Sequence, residues 1–340
     1  MTPKPARPNR IAALDFTKGA LVLIMVLYHW LNYFVGPNLD YRYLRFLTPS
    51  FIFVTGFLVA HVYFSGQNAA DPRLGKRLLI RGIKLLVIFV ILNAVRSILL
   101  PVLSGAHISF ADQLSPGNLW AVGVVGNVPV TSSKLIAFYI LVPISYLLLL
   151  SAGLSLPYRS FKYSFHVACI LFLSGILVLA LNGRRSYNLE FITIGLLGAM
   201  AGFVSIQTIN NFVRHPITLL LGYLSYVVAI TAWNVPFPLL AVGVCLSVWA
   251  IYLAGLQEPE SSRAGRHVIL LGKHSLFGYV AQIAILQILS TTFRHVKPGP
   301  AVTVISFVAA FALTMLAVEV LERVKSRSLI TDRLYKVAFG

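Results

Sequence analysis

Three ionisable residues, Asp15, Lys18 and His29, stand in the otherwise apolar stretch RIAALDFTKGALVLIMVLYHWLNYF. Charge placed in such a segment is costly and usually tied to function. Lys18 offers a cation to an anionic group, and His29 is the side chain best suited to move a proton near neutral pH. At about 100° per residue the eleven steps from Lys18 to His29 return to within roughly 20° of one helix face, and at 1.5 Å per residue they span about 16 Å. The same face reads Asp15, Lys18, Val22, Met25, His29, Asn32, so Asn32 follows His29 by one turn. Asp15 and Lys18 are three residues apart and can pair, which lowers the cost of placing either near lipid. Without regard to that spacing, Asp15 and Lys18 are snorkelling anchors and His29 is an aromatic-belt residue between Tyr28 and Trp30.

The helix that positions these residues is one of many. The chain has 340 residues, 58% hydrophobic and 11% charged, with a mean hydropathy of +0.82. That is far from the soluble norm, and apolar runs of about 20 residues, long enough to span lipid as helices, recur along it. The expectation is an all-α polytopic integral membrane protein of about ten transmembrane helices, and not a β-barrel. The spans read Ile11 to Phe34, Leu44 to Phe64, Leu78 to Leu100, Leu135 to Leu154, Phe165 to Leu181, Leu189 to Ile206, Ile217 to Trp233, Leu239 to Leu256, Val268 to Leu289 and Ala301 to Leu321. Polar and proline-containing breaks such as Asn182-Gly183-Arg184-Arg185 and Lys297-Pro298-Gly299-Pro300 separate them. The sequence reads as one domain over 1–340, with a tail at 1–10, a long outer connection at 101–134 around Trp120, and a second tail at 322–340.

A net charge of +18 belongs to the loops, not to a nucleic-acid surface, because no basic stripe interleaved with aromatics appears in a polar stretch. With the N-terminus inside, the inner segments carry roughly three times as many Lys and Arg as the outer ones, which places both termini in the cytoplasm and requires an even number of spans. Lys18 then lies near the cytoplasmic side and His29 toward the outer side. Met1 to Arg10 reads as the approach to a retained first helix, not as a signal peptide. Cys169 and Cys245 sit in apolar runs and give no disulfide framework, and the histidines show no ligand spacing, so no metal is expected.

Lys18, ten residues, then His29, preceded by Asp15 within RIAALDFTKG, resembles the signature of the transmembrane acyltransferase superfamily. That group includes the acyltransferase-3 family, the periplasmic glucan succinyltransferases and the heparan-α-glucosaminide N-acetyltransferases. PSFIFVTGFL (Pro49 to Leu58) resembles their second helix, KRLLIRGIK (Lys76 to Lys84) their basic approach to the third, and LLGKHSLFGYVAQI (Leu270 to Ile283) a late helix of the succinyltransferase branch. Thr55 stands where acyltransferase-3 members usually have Ser, and Arg77, Arg81 and Lys84 do not form their Arg-x-x-Arg, which favours a succinyltransferase-like or heparan acetyltransferase-like branch.

The resemblance implies an inner-membrane enzyme that takes acetyl-CoA or succinyl-CoA as donor on the cytoplasmic side and acylates a hydroxyl or amine of a glycan at the outer face. Lys18, held by Asp15, would form with Arg77, Arg81 and Lys84 a cradle for the donor phosphates, unless the last three are ordinary loop cations. Lys273, with His274 and Ser275, either joins that cradle or opens a helix facing headgroups. His29 either removes a proton from the acceptor or accepts the acyl group itself, and Asn32 orients the ring or the acceptor. Ser50 and Thr55 either donate to the thioester oxygen or bond their own helix backbone. Gln282, Gln287 and Tyr279 either line the route or hydrogen-bond a neighbouring helix. The rival expectation is a secondary transporter or lipid-linked glycan exporter. Against it stand the lack of a matching pair of Gly/Pro-broken helices and acidic residues nearly limited, within the spans, to Asp15 and Glu319.

Overall fold

The computed structural model describes residues 11–36, 41–65, 71–104, 118, 120–126, 138–233, 236–257, 262–293 and 299–339. The tail at 1–10 and most of the connection at 101–134 lie outside these residues. The long elements are α1 (Ala12–Trp30), α2 (Leu47–Leu58), α3 (Leu74–Ser104), α4 (Leu141–Ser160), α5 (Ser164–Leu181), α6 (Tyr187–Gly202), α7 (Ile206–Val213), α8 (Pro216–Ala232), α9 (Phe237–Gln257), α10 (Arg263–Lys273), α11 (Ser275–Phe293), α12 (Pro300–Arg327) and α13 (Leu329–Phe339). Among the described residues there is no strand.

The breaks fall where the sequence punctuates. Ser186 Oγ accepts the Leu189 N–H at the start of α6, Ser262 Oγ accepts the Gly265 N–H at the start of α10, and Pro216 and Pro300 open α8 and α12 where a missing N–H costs nothing. α1 and α2 each continue into a π-helical turn, Leu31–Val35 and Val59–Phe64.

Among the described residues eight helices are long and apolar enough to cross a membrane: Ala12–Val35, Arg42–Phe64, Leu74–Leu99, Leu141–Ser160, Ser164–Leu181, Phe237–Gln257, Ser275–Phe293 and Pro300–Arg327. This is the build of a polytopic membrane protein. Exposed Ile80, Ile83, Val87 and Ile91 on α3, and Val304, Ile305 and Val308 on α12, suit a lipid surface.

The other two expected spans are shorter. α8 has 17 residues, and α6 has 16 and meets α7 at a bend of 103°. At 1.5 Å per residue both reach about 25 Å, less than the roughly 30 Å of a bilayer core. The expected ninth span, Val268 to Leu289, is two helices, broken at His274. The expected tail at 322–340 is helical, as the end of α12 and as α13.

The chain gathers into two compact units, each built from separate segments. One comprises Met1–Leu47, Asn210–Val235 and Cys245–Gly340, the other Thr48–Ile209 and Pro236–Val244. In the first, α1 packs on α10, α11 and α12. At its tightest point Gly19 faces the Val268 carbonyl and Gly272 faces the Asp15 carbonyl, so that a Cβ on either glycine would run into backbone. In the second unit, Ser145 Oγ of α4 donates to the Gly82 carbonyl of α3 at 2.7 Å, and α2 meets α6 through Gly56 on the Gly195 carbonyl and Gly198 on the Phe53 carbonyl. Backbones approach closely through small residues in both units, as in helix packing within lipid.

Candidate functional site

α1 is unbroken from Ala12 to Trp30, so the stripe expected from its sequence is one continuous face. At one end the Lys18 ammonium sits 2.5 Å from Asp15 Oδ1. Asp15 is 7% exposed, and a carboxylate this buried needs such a partner. Val22 and Met25 are buried between the two ends. His29, eleven residues beyond Lys18, is half-buried, with its ring edge-on to Tyr28 at 5.3 Å between centroids. Among the described residues no group hydrogen-bonds the ring nitrogens of His29, which leaves both for a ligand. Asn32, in the π-helical turn, donates from Nδ2 to the Tyr28 carbonyl at 2.8 Å, and so is tied to the helix beside His29.

The helices that flank this face are held by residues whose role the sequence does not announce. Lys273 is exposed, whereas its neighbour His274, at the break between α10 and α11, is 5% exposed and bonded on both ring nitrogens. Nε2 lies 2.9 Å from Glu322 Oε2 and Nδ1 lies 2.8 Å from the Tyr335 hydroxyl. A carboxylate only accepts, so Nε2 carries the proton, and in the neutral ring Nδ1 accepts from Tyr335. Lys325 donates to Glu322 at 3.2 Å and covers the Tyr335 ring at 4.4 Å. One step along α12, Glu319 meets His267 at 2.9 Å and Arg323 at 3.6 Å. Two imidazole–carboxylate pairs therefore join α10 to α12 next to the Asp15 end of α1.

On α11, Gln282 is fully buried, and neither its Nε2 nor its Oε1 has a hydrogen-bond partner among the described residues. Tyr279 is buried one turn before it.

Arg77, Arg81 and Lys84 belong to the other unit, on α3. Arg77 is exposed and pairs with Asp71 at 2.9 Å, and Arg81 donates to the Tyr63 hydroxyl and lies over its ring. Thr55 donates to its own helix at the Phe51 carbonyl, 2.8 Å away, and Ser50 is buried. Glu190, inside the expected sixth span, escaped the count of acidic residues. It is 3% exposed and takes both oxygens to Arg185, at 2.6 and 3.0 Å. That hydrogen bonding holds the Arg185 guanidinium above its usual pKa. The five-residue spacing of Arg185 and Glu190 across a helix start is the signal that could have found the pair. Beside it, Asn188 Nδ2 donates to the Val122 and Gly123 carbonyls at 2.8 and 3.0 Å, tying the described part of the long connection to α6.

No family model, curated protein or solved structure matches the chain.

Proposed function

We propose that this chain is a membrane acyltransferase that moves an acetyl or succinyl group from cytoplasmic acyl-CoA to a hydroxyl or amine of a glycan at the outer face of a bacterial inner membrane. One observation carries the reading: a single unbroken helix presents an Asp15–Lys18 pair at one end of a face and, about 16 Å along it, an imidazole whose ring nitrogens have no hydrogen-bond partner among the described residues. Lys18 meets a donor phosphate, and Asp15 keeps that cation in place before the donor arrives. His29 takes the proton of the acceptor hydroxyl as its oxygen attacks the thioester carbonyl, and the proton then passes to the departing CoA sulfur. In the other route a His29 nitrogen attacks the thioester carbonyl first and expels the CoA thiolate, which takes the ring proton; the acceptor then attacks the acyl-imidazole and gives its proton to the ring as the acyl–nitrogen bond breaks. Within the same unit Lys273 is a further candidate for the phosphates and Asn32 for orienting the ring.

The 103° bend between α6 and α7 favours a second reading, a secondary transporter or lipid-linked glycan exporter, because transporters build binding sites from broken spans. One assay separates the two. Purified protein given radiolabelled acetyl-CoA or succinyl-CoA with membrane glycan is expected to move label to the glycan or to itself. His29→Ala should lower that transfer by at least about a hundredfold, with CoA affinity retained. Lys18→Ala should weaken CoA binding about tenfold, or ~1.4 kcal/mol. Full transfer by His29→Ala would overturn the assignment of that residue, and no transfer by the wild type would leave the transporter reading.

A further inference from the structure

Among the described residues of the first unit, Gln282, Tyr226 and Ser247 carry buried side-chain polar atoms without a hydrogen-bond partner, and Gln282 is the one with two such atoms, a donor nitrogen and an acceptor oxygen. It lies on the buried stripe of α11 made by Gly278, Tyr279, Gln282, Ile283 and Leu286. The neighbours of that stripe fix its height. A Cβ on Gly278 would lie 3.4 Å from Val22 of α1 and 3.8 Å from Val318 of α12, while Leu286 clusters with Val26 and Trp30 of α1 and Ala310 of α12. α11 therefore runs alongside α1 in the same direction, and Gln282 sits midway, level with Val26. That is about one turn short of His29 and about two turns past Lys18. On α12 the buried stripe Ser306, Ala310, Thr314, Val318 places Thr314 at this height, but its hydroxyl is spent on the Ala310 carbonyl at 2.7 Å.

A primary amide with both ends buried and unpaired opposes folding, and within lipid no bulk water relieves it. Such a group is a site waiting for a complement. An amide side chain donates from nitrogen and accepts at oxygen, and since the N–H and C=O of one trans secondary amide point opposite ways, its two ends are best met by a short chain that carries two secondary amides. A phosphate fits poorly in this neutral, apolar seam. Resting on the acyl-donor reading above, we propose that Gln282 binds the two secondary amides of the donor's pantetheine arm. The amide nearest the sulfur stands two carbons from it, so a contact one turn below His29 holds the thioester at the height of the imidazole.

The test is calorimetric binding of CoA, and of adenosine 3′,5′-bisphosphate, which lacks the arm, to the purified full chain and to Gln282→Met, which keeps side-chain length and removes the amide. CoA should bind the variant about tenfold more weakly, the bisphosphate should behave alike with both proteins, and the ligand-free variant should withstand heating at least as well as the wild type. Unchanged CoA affinity overturns the amide contact while leaving the acyl-donor reading intact. A variant that loses heat stability together with CoA affinity, or loses the two ligands equally, shows that the amide is structural and also overturns the proposal. A wild-type chain that does not bind CoA removes the donor reading and this contact with it.

Discussion

His274 shows how one side chain can hold three helices. Its ring joins the α10–α11 break to Glu322 on α12 and Tyr335 on α13, through bonds of 2.9 and 2.8 Å. Glu322 keeps Lys325 as a second partner, so loss of the imidazole does not leave the carboxylate without a cation. Tyr335→Phe should cost about 0.5–1.5 kcal/mol, the worth of one hydrogen bond, and His274→Leu about 1–3 kcal/mol, because the buried ring makes two hydrogen bonds, one of them to a carboxylate. The midpoint of heat-induced aggregation in detergent reads both. Once His274 is Leu, adding Tyr335→Phe should cost less than it does alone, since the two residues share one bond. Fully additive losses would show that Tyr335 is held by something other than the ring. The sequence groups His274 with Lys273 and Ser275 at a helix start and does not show its bonds, because its partners lie 48 and 61 residues away and no local spacing announces them.

Among the elements, α1 and α10 have the closest crossing tied to the candidate site, and it depends on two residues without side chains. Gly272 touches the Asp15 carbonyl, one turn from Lys18, so pushing α10 away also disturbs the Asp15–Lys18 pair. Gly272→Ala is expected to destabilise by about 1–3 kcal/mol through forced backbone movement. If the donor reading holds, it also weakens CoA binding. Gly153 of α4 is the control: a Cβ there meets nothing within 4 Å, so Gly153→Ala should stabilise by about 0.5–1 kcal/mol or leave the protein unchanged. Equal tolerance of the two substitutions would remove the crossing as a constraint. Apolar runs made the long helices legible, and α5, α9 and α12 begin within two residues of where those runs start. The His274 break and α13 were not legible. Lys273-His274-Ser275 reads as a helix start, and what turns it into a break between two helices is a bond to α12 and α13 that only the fold supplies.

For the whole molecule the open quantity is which side of the membrane the α6–α7 bend occupies. Among the described residues eight helices are long and apolar enough to cross, and whether α6 and α8 both cross or form a re-entrant pair separates the expected ten spans from eight. Both arrangements put the two termini on the same side, so labelling the ends cannot separate them. The residues between α6 and α8 can. If α6 crosses, its 103° bend lays α7 along the membrane surface, with Gln207 exposed toward water and Arg214 at its end. The positive-inside rule leads to the expectation that this surface is the cytoplasmic one. A helix with Ile209 and Val213 buried and Asn211 exposed suits such an interfacial position. The shortness of α6 and α8 is then met by local thinning of the bilayer, at a modest cost for each ångström of mismatch. Gln207→Cys, in a background with Cys169→Ser and Cys245→Ser, is therefore expected to resist a membrane-impermeant maleimide in intact cells and to react once the membrane is opened. Reaction in intact cells would place the bend on the outer side and reduce the count to eight.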